Sequence, residues 1–171
     1  HFGFLMNWHV AAPFDNAGNG GFDREYTPEE RVDLAAEYDV KEGAVRWQPV
    51  STKDNLGVVD LNKAIGKKQN VIAYCYTDFS IERDRDVELR IATQNAFKIW
   101  LNGELLYARG EYHRGTELDH YRAKGSMRLG RNEILLKVCQ NKQTESWAQS
   151  WRFQIRVCDM TGTAVLSASI Q

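Results

Sequence analysis

At 171 residues, with 43% hydrophobic and 26% charged positions, the chain has the make-up of a single globular domain able to bury a core without disulfides or metal. No apolar run approaches the roughly 20 residues of a membrane span, and a formal charge of -1 with both signs mixed along the chain argues against a nucleic-acid surface of clustered Lys and Arg. The chain starts at His1 without an initiator Met or a signal peptide, which reads as part of a longer protein, excised or processed.

Trp8-His9-Val10-Ala11-Ala12-Pro13-Phe14 reads as a first strand that Pro13, unable to donate to a ladder, brings to a stop. Residues 15–23 form a glycine-rich loop in which Asp15, Asn16, Asn19 and Asp23 offer side-chain oxygens of the kind calcium takes, so Asp15, Asn19 and Asp23 are candidates for a structural Ca²⁺. Tyr26 stands where a helix-loop-helix calcium loop places its twelfth-position acid, and Asn, Asp and Gly are equally the residues of plain turns, which is the competing reading. Thr27-Pro28-Glu29-Glu30, with Thr27 as cap and a proline behind it, predicts a helix of a turn or two.

Tyr38-Asp39-Val40 and residues 45–50 suggest short strands around a Lys41-Glu42-Gly43 turn, and Val58-Val59-Asp60-Leu61 leads into a loop ending at Gly66. Residues 71–77 make a strong strand. In Asp86-Val87-Glu88-Leu89-Arg90-Ile91 the alternation puts Val87, Leu89 and Ile91 inward and Glu88 and Arg90 outward. Residues 97–107 are the clearest hairpin: two apolar-aromatic runs flank Asn102-Gly103, the pair suited to the positive φ angles of a type I′ turn, with Phe97, Ile99 and Leu101 on one face. Residues 108–121 then read as a long polar loop, residues 121–129 as a strand, and Gly130-Arg131-Asn132 as a turn into a strand whose Ile134, Leu136 and Val138 share a face. A second polar loop, 140–149, precedes Trp151-Arg152-Phe153-Gln154-Ile155-Arg156-Val157, where Arg152, Gln154 and Arg156 form an outward, solvated row; Gly162 turns into a last strand over residues 164–170.

About ten short strands with regular turn signals and little helix predict an all-β, antiparallel two-sheet sandwich, in one domain, with Leu89, Ile99, Leu136, Phe153 and Ile155 buried. Alternation alone does not separate a jelly roll from an immunoglobulin-like order. Cys75, Cys139 and Cys158 lie inside strands without metal-ligand spacing, which reads as buried small hydrophobes, with one disulfide as the alternative.

Three segments resemble the galactose-binding-domain-like jelly rolls that occur as carbohydrate-binding modules and as accessory domains beside bacterial glycoside hydrolases. They are residues 8–14, a Trp followed at the end by Pro-Phe; residues 97–107, with Trp100-Leu101-Asn102-Gly103 at the turn; and Leu129-Gly130-Arg131-Asn132-Glu133-Ile134-Leu135-Leu136-Lys137-Val138. Residues 151–159 also fit. The resemblance implies a jelly-roll fold, carbohydrate and neighbouring domains of the same polypeptide as partners, and a secreted or periplasmic location. Its motif residues are turn glycines and core positions, so it implies a fold more specifically than a ligand.

Among candidate sites, Glu111, His113, Glu117, Asp119 and His120 crowd one loop without a metal-binding spacing, and no G-x-S-x-G elbow or phosphate-cradling glycine loop is present, so the chain reads as non-catalytic. A sugar site needs aromatic platforms beside planar polar groups on exposed loops. Tyr107, Tyr112 and Tyr121 with Arg109, Glu111, His113, Arg114 and His120 offer that mixture, and Trp147 in the second loop offers another platform. The expectation is that Tyr112 or Tyr121 stacks on a sugar ring while Arg109, Glu111, His113 or Arg114 meets its hydroxyls. The competing expectation is that these aromatics fold over the end of the sandwich, in a structural or protein-interaction domain marked by an exposed apolar patch.

Overall fold

The computed structural model describes residues 2–114 and 117–168. In chain order the strands are β1 (Asn7–Asp15), β2 (Glu37–Val40), β3 (Gly43–Arg46), β4 (Gln48–Ser51), β5 (Val59–Asp60), β6 (Val71–Ile81), β7 (Arg85–Thr93), β8 (Ala96–Leu101), β9 (Glu104–Arg109), β10 (Tyr121–Met127), β11 (Gly130–Gln140) and β12 (Arg152–Cys158), with two single-turn helices, α1 (Thr27–Glu30) and α2 (Leu61–Ala64). They form an antiparallel sandwich of a six-stranded sheet, β4-β1-β6-β11-β8-β9, and a four-stranded sheet, β10-β7-β12-β5; β2 and β3 pair separately.

The main core lies between the sheets, where Val10, Leu89, Ile91, Ile99, Leu136, Phe153 and Ile155 are buried as their alternation requires. The β8–β9 hairpin turns at Asn102 and Gly103 with φ of 50° and 81°, as the sequence predicts. Cys75, Cys139 and Cys158 are buried free thiols.

Several local expectations are corrected. Pro13 does not end β1: the strand continues past it to Asp15 through a register shift between Ala11 and Phe14, where a missing donor is harmless. Thr27 does not cap α1, whose N-cap is Tyr26 without a side-chain bond. Residues 61–64 are a helical turn rather than loop, because the Asp60 carboxylate accepts from the N–H groups of Asn62 and Lys63. After Gly162 only Ala164 bridges to Cys158; the last strand is otherwise absent up to residue 168, and residues 169–170 of that expectation lie outside the described residues.

The larger correction concerns the outer faces. One-sided alternation predicts that they are solvated, yet both are covered. The outer face of the six-stranded sheet carries Tyr74, Tyr76, Trp100, Leu135 and Cys139, and residues 22–47 cross it, adding Tyr26, Tyr38, Val45 and Trp47 to a second apolar cluster. Lys137 lies in this layer, fully buried, with Nζ bonded to the carbonyls of Phe22 and Arg24 at 3.0 and 2.8 Å and to Glu29 Oε2 at 2.6 Å. Tyr74 donates its hydroxyl to the same Glu29 oxygen; burial first, and then Glu29, raises its pKa.

On the four-stranded sheet, Glu88 and Arg90 are buried rather than solvated. Arg90 pairs with Glu88 at 2.8 Å and with Asp119 at 3.3 Å, Arg156 closes on Asp119, and the turn at Gly162 lies against the Arg90 guanidinium. Arg156 therefore leaves the solvated row, and Gln154 donates to the carbonyl of Leu56.

Candidate functional site

The strands deliver their longest loops to one end of the sandwich. There β1, β9 and β11 end and β6, β8 and β12 begin, so residues 15–23, 65–70, 94–95, 110–114, 117–120 and 141–151 meet. Amide side chains stitch them together. Asn16, fully buried, donates Nδ2 to the Tyr112 hydroxyl at 2.9 Å and to the Gln140 carbonyl at 3.0 Å, while its Oδ1 accepts from the Gly21 N–H. Position 21 tolerates only glycine, since a Cβ there would sit 2.4 Å from the Asp15 carbonyl oxygen. Asn62 donates to the carbonyl of Gln149, and Asn95 and Gln140 both donate to that of Ser150. Asn62 Oδ1, Gln94 Oε1, Asn141 Oδ1 and Gln143 Oε1 have no donor among the described residues.

Within this end the expected site residues separate. Arg109 donates Nη2 to Glu111 Oε2 at 2.9 Å, and the same oxygen is 3.6 Å from Arg114 Nε, so Glu111 ties the two arginines together at the surface. Tyr112 spends its hydroxyl on Asn16 and lays its ring on the second apolar cluster; burial pushes its pKa up to about 12. His113 is fixed by its N–H to the Gln94 carbonyl and stands edge-on to Trp147, centroids 5.3 Å apart at 70°; burial lowers its pKa. Trp147 is 67% exposed, carried on a single 3-10 turn over Ser146–Ala148.

Tyr121 is corrected: it is the first residue of β10, 5% exposed, and packs in the main core against Phe97 and Tyr107, so it presents no ring to a ligand. Tyr107 packs against the same core. His120 is exposed with its ring 4.6 Å from that of Tyr121. Asp119 turns away to clamp Arg90 and Arg156, so the loop splits: residues 109–114 lie against the 141–150 segment, while residues around 119 cover the four-stranded sheet.

The calcium candidates have separate engagements. Asp15 Oδ1 accepts from the Ala17 N–H, Asn19 is exposed at a φ of 61°, and Asp23 is 91% exposed, 4.0 Å from Lys98 Nζ. Among the described residues no three His, Cys, Asp or Glu side chains come together as a metal set.

Beside this surface, at the same end, a cleft of about 370 Å³ opens between residues 68–71 and the turn of the β2–β3 hairpin. Pro13, Phe14 and Val71 supply apolar lining, and Lys41 and Lys68 supply charge. Neither lysine stood out in the sequence, where each belongs to an ordinary polar loop.

No family model matches this chain, and no curated protein does either. Among solved structures it is similar to an anti-sigma factor domain-containing protein from Clostridium clariflavum, with a TM-score of 0.48 and 11% identity over 96% of this chain and 45% of that one. A beta-glucosidase from Kluyveromyces marxianus gives 0.49 and 16% over 88% of this chain and 16% of the other. A beta-glucuronidase from an uncultured Clostridium sp. gives 0.45 and 13% over 92% and 29%. The chain spans less than half the length of each of these proteins. At such identities and TM-scores the likenesses carry no functional argument.

Proposed function

We propose that this chain is a non-catalytic carbohydrate-binding domain of a larger extracellular protein, of the galactose-binding-like jelly-roll type, and that it binds a glycan on its loop end around Trp147. The observation that carries the reading is the exposure of Trp147 together with its support: an indole open to solvent, braced edge-on by His113, on loops cross-linked by buried amides. A sugar ring presents an apolar C–H face edged by hydroxyls, and an exposed indole offers it stacking surface with only two side-chain torsions to order. Glu111, with Arg109 and Arg114, forms a polar rim in this reading, whereas Tyr112 serves the loop scaffold.

The test is a glycan array on the chain followed by titration of the best binder. Trp147→Ala should weaken binding by at least about tenfold, the usual scale for a stacking anchor, and leave the melting temperature in place. An array without a binder would sink the proposal.

A second reading has one observation behind it. Phe2 and Leu56 are exposed, and their carbonyls accept from Arg156 and Gln154 on the outer face of the four-stranded sheet, which places apolar surface where a neighbouring domain of the same polypeptide could dock.

A further inference from the structure

We infer that the cleft between residues 68–71 and the β2–β3 turn is a sugar site of its own, apart from Trp147, and that it takes an uncharged saccharide unit in preference to a uronic acid or an amino sugar. This rests on the glycan reading above and adds to it a second place of contact and a substrate class.

The cleft is built by segments that the fold fixes. Asp15 pairs with Val71 across β1 and β6, so the neighbouring ends of those strands form one side. The turn of the β2–β3 hairpin forms the other, and the hairpin is held over β1 by Tyr38, whose ring centroid lies 5.6 Å from that of Phe14. Backbone groups pin the first side: the Tyr26 hydroxyl donates to the Asp15 carbonyl at 2.6 Å, and the Asn16 N–H donates to the Asn70 carbonyl at 2.9 Å. A ligand therefore meets walls already formed and is spared the cost of ordering them.

The charges decide what fits. Lys41 and Glu42 come from the hairpin side, Asp15 and Lys68 from the other, so the formal charges of the lining cancel and each side carries both signs. None of the four makes an ion pair among the described residues, and one Asp15 oxygen accepts from the Ala17 N–H. Ammonium groups only donate and carboxylates only accept, whereas each sugar hydroxyl does both. Hydroxyls spread around a ring can thus bond to either kind of group on either side, and bonds to charged partners are the stronger kind. A uronate or a protonated amino sugar gives up hydration and gains from one sign what it loses to the other. A zwitterion needs its two poles served separately, and neither side of the cleft is reserved for one sign. Pro13 and Val71 supply apolar lining for ring C–H groups, and the volume of about 370 Å³ is that of a small-molecule site.

Backbone amide shifts of the isotope-labelled chain, titrated with single saccharides, test this. The probes are methyl glucoside and methyl galactoside, the uronic acid and the protonated amino sugar of each configuration, and the zwitterion glycylglycine. At least one neutral glycoside should move the amides of residues 40–42 and 68–71 saturably and bind about fivefold or more tighter than its two charged counterparts, the scale of one hydrogen bond in water. Glu42→Gln should shift the preference toward the uronic acid and Lys41→Gln toward the amino sugar, while Trp147→Ala leaves the cleft shifts in place. A charged counterpart that binds the parent as tightly as the neutral glycoside, or a dipeptide that displaces the glycoside, overturns the inference. Cleft amides that stay still under both neutral glycosides, while an array glycan binds through Trp147, also overturn it and leave the glycan reading standing. A still cleft together with an array without a binder removes both.

Discussion

The two sheets of this sandwich are each covered on the outside, and they are covered by different physics. Over the six-stranded sheet, residues 22–47 bring aromatic and aliphatic side chains, so the cover is a second core with one charged peg, Lys137, through its middle. Over the four-stranded sheet the cover is thin: residues around 119 and the turn at 159–163 are held by an ionic lattice of Glu88, Arg90, Asp119 and Arg156. Burying area gives a cover that resists salt and pH, whereas pairing charges gives one whose strength depends on both.

Removing the peg should have the largest effect. Lys137→Ala leaves the Glu29 carboxylate and two carbonyls buried without their cation and should cost about 3 to 5 kcal/mol in denaturant unfolding. The double variant Lys137→Met/Glu29→Leu should recover much of that loss, because a matched apolar pair has nothing left unpaired. A double variant no more stable than Lys137→Ala would show that the layer depends on the charges rather than on its apolar packing.

Asp119→Ala is next, at about 2 to 3 kcal/mol for hydrogen bonds to charged partners. The pH dependence sharpens the contrast. The hydrogen bonds from Arg156, against some desolvation, hold the Asp119 carboxyl below the usual carboxylate range. A group with a depressed folded pKa stabilises fully above its unfolded value of about 3.9 and loses that contribution as pH falls through the lower folded value. Amides of the 159–163 turn should therefore lose hydrogen-exchange protection in acid before those of residues 22–47 do; simultaneous loss would erase the distinction between the covers.

Smaller effects separate scaffold from site. Tyr112→Phe removes the acceptor for Asn16 and should cost about 1 kcal/mol with little change in glycan affinity. Trp147→Ala should move stability by less than about 0.5 kcal/mol, as for an exposed residue, while binding falls. If Tyr112→Phe were the variant that lost binding and Trp147→Ala the one that unfolded, the roles assigned at the loop end would be exchanged.

The sandwich was legible because period-2 alternation and turn pairs such as Asn102-Gly103 are local signals. The covers were not. Arg90 and Glu88 look like a solvated row until Asp119, 29 residues away from Arg90, folds onto them, and no local pattern encodes that meeting. Lys137 likewise sits where alternation says outward, which is correct, but outward there means beneath Tyr26 and Glu29. At the site, Trp147 could be picked out as an aromatic in a polar loop. Tyr121 could not be told from a loop aromatic, because it opens β10 and the strand boundary decides which way its ring points. The amides that knit the loop end, Asn16 above all, carry no sequence mark that separates them from turn residues.

The ladder between β6 and β11 has a kinetic consequence. It is the longest in the molecule, pairing Val71 with Gln140 at one end and Ile81 with Gly130 at the other, and β1 and β8 attach to its two sides. The centre of the larger sheet thus forms only after some fifty to seventy residues of intervening chain have been looped back, an entropic toll that precedes the contacts repaying it. The β8–β9 hairpin lies within that loop and closes on its own in microseconds, so the chain should assemble from its middle outwards, and slowly.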